Sequence, residues 1–217
     1  MASRLVLGAA LLLCAGCGHL VDVNGDRAKL QQAPSNTTTA QLTYDKLAIP
    51  SDVTFWIDEK SPVVEFGAAG KSYAKGFELP EVEAYRLTVR SYSLLSGPIE
   101  GAIFYPVLLF LDPEKKVVEV SSRGWTLTQG TFAEDLNAAF RLQYVEHITS
   151  ERPWRYIVIR SRGEPSSPGA AAGRQPIEIA ASAPYPASSA ESEQDEASVV
   201  RSSPVGYIEV KVDMEVP

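Results

Sequence analysis

Short segments in which apolar and polar residues alternate constrain the fold of this chain most strongly. The clearest is 84–92, AYRLTVRSY, in which Tyr85, Leu87 and Val89 share one face. A period of two indicates a β-strand, because successive side chains point to opposite faces of a sheet. The same alternation recurs at 53–58, 140–144, 155–160 and 206–216. About eight such strands separated by turns predict an all-β fold, a single β-sandwich of jelly-roll or immunoglobulin-like type.

Residues 103–111, IFYPVLLFL, form a nearly continuous apolar run. Such a run is typical of a strand buried on both faces, or of one that leads into a tight sandwich core. Pro106 has no N–H to give to a ladder, so it indicates an edge position or a bulge. Residues 112–115 (DPEK) have good turn chemistry and predict a hairpin with 116–121.

Two segments have a composition that does not favour a packed core. Residues 17–44 are largely polar and predict a lipidated N-terminus and flexible tether ahead of a β-sandwich domain at 45–217. Residues 163–203 are rich in Pro, Ala, Ser, Gly and Glu and predict a disordered surface insertion before the last strand. Within it, only 176–179 (PIEI) carries a strand-like pattern.

The first 16 residues have the pattern of a bacterial export signal. Arg4 precedes an apolar run, Leu5–Cys14, of ten residues, which is too short for a bilayer span of about 20 residues. Two small residues then precede Cys17, as in the lipobox of bacterial lipoproteins. This predicts cleavage before Cys17 and acyl chains on its sulfur and amino groups, which would hold the domain on a membrane. Gly18, rather than Asp, favours the periplasmic side of the outer membrane. An ordinary signal peptide is the alternative.

The charge of the chain limits the classes of partner, and its cysteine content limits the disulfides it can form. The chain has 20 Lys and Arg against 27 Asp and Glu, with a net charge of −7 and no basic block, which disfavours nucleic acid as a partner. The cysteines are Cys14 and Cys17, so the mature domain is expected to contain no disulfide. A mature chain of about 200 residues can rely on a hydrophobic core alone.

The residues that usually carry catalysis are few. The two histidines are His19, in the predicted tether, and His147, in a predicted loop after a strand, and no G-x-S-x-G pattern accompanies them. A single domain histidine also disfavours an ordinary zinc site. Carboxylate pairs occur in turn-like segments, where solvation explains them, at Asp58-Glu59, Glu81-Glu83 and Glu134-Asp135. We therefore predict a non-catalytic protein without a cofactor or bound metal.

Aromatic residues are the better candidates for ligand or partner contacts, because sugars dock their C–H surfaces on aromatic rings. Trp56 falls on the polar face of its strand, Tyr92 shares the face of Arg90, and Trp125 lies at a strand start. The structural alternative is that Trp125 fills an end of the sandwich and Trp56 covers a sheet edge.

Several separated segments together resemble the maltose operon periplasmic protein family (the MalM family). These segments are SPVVEF, GKSYAKGFELP, LTVRSY, FYPVLLFLD, RYIVIRS and GYIEVKV. They occur in the expected order and cover about 45–162 and 204–217. The resemblance implies a periplasmic protein associated with maltose and maltodextrin uptake, of unassigned molecular activity. It carries over no functional residues.

These observations predict a lipid-anchored periplasmic accessory protein of carbohydrate uptake. It would bind a maltodextrin, or a porin or transport component, without catalysis. The alternative is a structural envelope lipoprotein that tethers or organises outer-membrane or peptidoglycan components. A third hypothesis, a glycoside-acting enzyme, would require two carboxylates within about 10 Å across a groove.

Overall fold

The computed structural model describes residues 22–35, 37–95, 101–121, 124–129, 140–162, 177–178 and 199–214. Most of these residues lie in strands that form two mixed sheets, which confirms the predicted β-sandwich. One helix precedes them, α1 (Val23–Gln32). The strands in chain order are β1 (Tyr44–Lys46), β2 (Ser51–Ile57), β3 (Val63–Glu65), β4 (Lys71–Glu78), β5 (Ala84–Leu95), β6 (Gly101–Phe104), β7 (Pro106–Leu111), β8 (Val117–Ser121), β9 (Thr126–Gln129), β10 (Phe140–Thr149), β11 (Tyr156–Ser161), β12 (Ile177–Glu178), β13 (Val199–Ser203) and β14 (Gly206–Met214).

The first sheet has the strand order β1-β4-β11-β7-β8, with β3 also pairing β4. The second sheet is built around β5, whose first nine residues pair with β10 on one side and largely with β14 on the other. Beyond these neighbours, β9 pairs β10 and β2 pairs β14. The last three residues of β5 pair with β6, which continues the sheet to β13 and β12. No helix among the described residues is long and apolar enough to cross a membrane.

The main core lies between the two sheets, because its residues come from both. They reach the core because alternate residues of each strand point inward. Tyr85, Leu87 and Val89 of β5 are at most 1 % exposed, as the sequence pattern predicts. From the first sheet, Phe77, Phe110 and Ile157 are equally buried, together with their neighbours on the same face. Burying apolar area of this kind is the dominant favourable term in folding.

The first sheet has a second apolar cluster on its other face. Every residue of β7 is buried, and alternate members of β7 face away from the sandwich interior. The chain before β2 covers this face, where Leu42 is buried and Tyr44 packs against the cluster. The hydroxyl of Tyr44 donates to the Thr39 carbonyl oxygen at 2.6 Å. The segment around Leu42 is therefore part of the fold.

The apolar run 103–111 forms two strands, not one. Residues 101–104 form β6 in the second sheet, and 106–111 form β7 in the first sheet. The prediction of an edge position or bulge at Pro106 is wrong in detail, because Pro106 is the first residue of β7, a position that tolerates a missing N–H. The run is apolar because its first two residues are buried in the second sheet and its last six are buried in the first.

Helix α1 lies inside the segment interpreted as a flexible tether. Its N-cap, Asp22, accepts a hydrogen bond from the Gly25 backbone N–H at 3.0 Å. Val23 and Leu30 lie two turns apart on one face and are buried in the main core, where α1 packs against β4 and β13. The structure thus differs from the tether prediction for residues 22–35. Two buried apolar side chains dock this polar helix, together with polar contacts such as the hydrogen bonds from Lys71 to the carbonyl oxygens of Gln31 and Ala33.

The predicted insertion at 163–203 also contains strands. Ile177 and Glu178, within the one strand-like piece, form β12. Residues 199–203, which the composition assigned to the insertion, form β13 and pair in parallel with β6. The remainder of the insertion lies outside the described residues. At the start of β14, a Cβ on Gly206 would lie 2.2 Å from the Phe104 Cβ, so only glycine permits this approach of β14 to β6.

The docking of α1 gives the first prediction. Leu30→Ala should lower the free energy of unfolding by about 3 kcal/mol, because it removes a buried side chain and leaves a cavity. Gln32→Ala, on the exposed side of the same helix, should change it by less than about 0.5 kcal/mol. Urea unfolding of the two variants measures both values. Equal, small effects would mean that α1 is not part of the folded unit.

Tyr44 gives a second prediction, on alkaline stability. Burial, with a contribution from Tyr156, raises the pKa of Tyr44 to about 12. Because the folded state favours the neutral phenol, this stabilising contribution is complete below the unfolded pKa of about 10 and is lost between about pH 10 and 12. Unfolding free energies measured across that range should therefore fall less steeply for Tyr44→Phe than for the unmodified protein. Parallel curves would contradict the shift.

Candidate functional site

The solvent-side surface of the second sheet carries most of the predicted contact residues. We call this surface the polar face; it consists of the outward side chains of β2, β14, β5, β10 and β9. Trp56, Tyr92 and Arg90 all lie on it, as alternation predicts. They come together because β14 lies between β2 and β5 in the sheet.

An aromatic row crosses three strands of the polar face. Tyr207 of β14 lies directly opposite both Trp56 of β2 and Tyr92 of β5. The ring centroids are 5.4 Å apart for Trp56 and Tyr207, and 5.8 Å apart for Tyr92 and Tyr207, with the planes tilted by 48° and 43°. Two strand spacings make this row about 10 Å long. Trp56 is 39 % exposed and Tyr92 is buried, so the row presents its Trp56 end to solvent.

A charged row runs beside the aromatic row, one step along the same strands. Glu209 of β14 lies opposite Arg90 of β5, which in turn lies opposite Gln143 of β10. Arg90 Nη1 donates to Glu209 Oε1 at 2.8 Å, and Arg90 Nε donates to Gln143 Oε1 at 2.9 Å. The hydroxyl of Tyr92 donates to the other carboxylate oxygen of Glu209. This ion pair fixes Tyr92 in the aromatic row.

Further polar side chains extend the polar face across β10. Arg141 lies opposite Tyr92, and its Nε donates to the Thr128 hydroxyl at 3.0 Å. His147, which the sequence places in a loop, lies in β10 opposite Arg86 and is exposed. The loop interpretation of His147 is wrong because β10 continues to Thr149.

Trp125 is not part of the polar face. Its ring lies 5.4 Å from that of Tyr144, a residue of the main core, and it packs against that core. Its indole N–H is buried and has no described hydrogen-bond partner. Of the four residues singled out as contacts, the structure therefore brings together Trp56, Tyr92 and Arg90 and separates Trp125 from them. Trp125 matches the structural alternative, in which it fills part of the sandwich.

The polar face offers an apolar strip beside fixed donors and acceptors. The tilted rings of the aromatic row can receive the C–H surface of a sugar, while Arg90, Gln143 and Arg141 border the strip with groups that hydrogen-bond hydroxyls. Glu209 is already engaged by Arg90 and Tyr92, so its carboxylate holds the site's geometry. Among the residues that the structure describes, no three His, Cys, Asp or Glu side chains are grouped as metal ligands would be.

Sequence reasoning did not single out Tyr207, Glu209 or Gln143. The alternation of GYIEVKV places Tyr207 and Glu209 on one face, so a partial signal was present. What the sequence does not contain is the order and register of strands, which set Tyr207 between Trp56 and Tyr92. Charge alone does not reveal that Glu209 is buried.

No protein-family model, curated protein or solved structure matches this chain. The resemblance to the maltose operon periplasmic protein family therefore stays a prediction.

The charged row gives a third prediction. Glu209→Ala should lower the free energy of unfolding by about 2 kcal/mol, because Arg90 would lose its carboxylate at a largely buried position. Asp213→Ala is the matched control on the same two strands. It removes a 3.5 Å pair with Arg86 and a 3.2 Å pair with Lys211, both partly exposed cations whose charges solvent screens, and should change stability by about 0.5 kcal/mol or less. Thermal or urea unfolding compares them, and an equal loss for both would contradict this account of Glu209.

Proposed function

We propose that this protein is a lipid-anchored periplasmic accessory protein of carbohydrate uptake that binds a maltodextrin on the polar face. The observation that carries the proposal is the aromatic row, in which Trp56, Tyr207 and Tyr92 align across three neighbouring strands. The predicted lipid on Cys17 would hold the domain at the periplasmic side of the outer membrane. The proposed role is binding, without a catalytic step.

The geometry of the row supports an oligosaccharide over a monosaccharide. Trp56 and Tyr207, the two rings of the row that are not buried, have centroids 5.4 Å apart, so two successive units of a chain would each find an aromatic surface. The exposed Trp56 is where a ligand first meets the row, and the half-buried Tyr207 continues it. Arg90 is held by Glu209 and Gln143, so its remaining N–H groups are presented in a fixed orientation, which lowers the entropy cost of binding.

The link to maltodextrins comes from the family resemblance, and the link to sugars in general comes from the aromatic row. These two supports are independent. A sugar other than a maltodextrin would leave the binding role intact and remove only the maltose association. The alternative function, an envelope tether, draws its support from the polar segments of the chain. Residues 22–35 and 199–203 of those segments are folded, so they do not act as flexible linkers.

The fourth prediction tests sugar binding directly. Isothermal titration of the protein with maltodextrins should give saturable heats, and Trp56→Ala should weaken binding about tenfold by removing the exposed ring. Tyr207→Ala should weaken it similarly. Both changes lie on the polar face, so circular dichroism should stay that of a β protein.

Met214→Ala is the matched control, because it removes an exposed apolar side chain from the strand that carries Tyr207. Its affinity should equal that of the unmodified protein. Flat heats at millimolar maltodextrin for the unmodified protein would remove the proposal, and cosedimentation with purified sacculi would then favour the envelope-tether alternative.

A further inference from the structure

A cation-lined cleft lies beside α1, where β4 begins and β11 and β13 end. It is largely open to solvent: its enclosed volume is about 20 Å³, and the cleft with the adjoining solvent spans about 340 Å³. Its polar lining consists chiefly of Arg27, Lys71, Arg162, Ser161, Ser202 and Ser203. No acidic residue is among the described residues that line it, although the chain as a whole carries a net charge of −7. The local charge of the cleft is therefore positive, opposite in sign to the net charge of the chain.

Two of these cations have no carboxylate partner in the part of the chain that the structure describes. Lys71 Nζ donates to the carbonyl oxygens of Gln31 and Ala33, at 3.0 and 2.8 Å, at the C-terminal end of α1. The Arg162 guanidinium lies over the Tyr105 ring, 5.7 Å from its centroid. Carbonyl oxygens and rings hold the two groups in place, and they offset a full positive charge only in part.

A fourth cation, Arg160, precedes the lining residue Ser161 in β11, but its side chain lies on the outer face of the first sheet, among the second apolar cluster. It is 8 % exposed, and its Nη1 donates to the carbonyl oxygen of Ser161, which lines the cleft. Its Nε has no hydrogen-bond partner among the described residues, and its guanidinium lies 4.7 Å from the centroid of Phe66. Burial lowers the pKa of Arg160 from its usual value. Arg160 therefore adds positive charge near the cleft without lining it.

We propose that this cleft binds a phosphate group, either the headgroup of an anionic phospholipid or a free phosphate. A tetrahedral phosphate presents several acceptor oxygens in different directions. Arginine, lysine and serine donors around one cleft match that arrangement, and arginine can bind phosphate through two N–H groups. The exposed Ser202 hydroxyl adds a neutral donor at the rim.

The place of α1 in the chain favours the phospholipid source. Asp22, the N-cap of α1, follows Cys17 by five residues, which span at most about 18 Å. With the proposed lipid on Cys17, the helix that forms one wall of the cleft would be held close to the bilayer headgroups. This argument for the source rests on the proposed lipid anchor, whereas phosphate binding itself does not.

The fifth prediction uses the chain with Cys17→Ser, which has no lipid of its own to bind vesicles. Two probes separate the sources: inorganic phosphate, followed by titration calorimetry, and cosedimentation with vesicles of phosphatidylglycerol in phosphatidylcholine against phosphatidylcholine alone. Arg162→Gln should weaken binding about tenfold, the loss expected for one charge-assisted hydrogen bond. Lys71→Gln with Arg162→Gln should reduce it to background.

The matched control is Lys46→Gln with Lys116→Gln, which removes the same charge from the opposite end of the sandwich. Its binding should equal that of the parent chain. Binding of phosphate alone, of anionic vesicles alone, or of both supports the cleft and identifies the source. Binding of neither probe, or an equal loss in the control pair, overturns the proposal. Because Arg162 is exposed, its single variant should keep the fold and keep the test decisive.

Discussion

The first sheet is apolar on both of its faces, and the rest of the structure is arranged around covering them. All six residues of β7 and five of the six in β11 are buried. A sheet of this kind cannot be stable with one face in water, because the apolar area left exposed would oppose folding. The second sheet covers one face. The chain through Leu42 and Tyr44, with Phe66, covers the other.

The second sheet has the opposite character, because only its inner face is needed for the core. Its outer face is therefore free to carry polar chemistry, and there the sequence alternates strictly. Glu209 contributes both to the stability of that face and to the geometry of the candidate site, since its carboxylate accepts hydrogen bonds from both Arg90 and Tyr92. The buried end of the aromatic row is held by this network, while Trp56, at the other end, remains exposed.

The strands were predictable because their alternation is a local property of the sequence. AYRLTVRSY and GYIEVKVDM gave β5 and β14 with the correct residues inward. Helix α1 was not predictable, because only Val23 and Leu30 mark its buried face and polar residues fill the rest. For β13, composition was misleading: the segment belongs to a Ser-rich stretch, yet pairing with β6 orders it. The candidate site shows the same limit, because Trp56 and Tyr92 were visible individually, while the register that places Tyr207 between them is a long-range property.

The aromatic row and the cation-lined cleft lie at the same end of the sandwich. Glu59 follows Trp56 by three residues, and its carboxylate lies 3.2 Å from the amino group of Lys29 in α1. Pro204, which lines the cleft, precedes Tyr207 by three residues. This is also the end from which the chain leads back toward Cys17, since α1 docks there between β4 and β13. With the proposed anchor, both surfaces would face the membrane region, so an oligosaccharide bound on the aromatic row would be held close to the bilayer and to any channel within it. The folded helix matters for this arrangement, because a flexible tether of the same length would leave the orientation of the domain undefined.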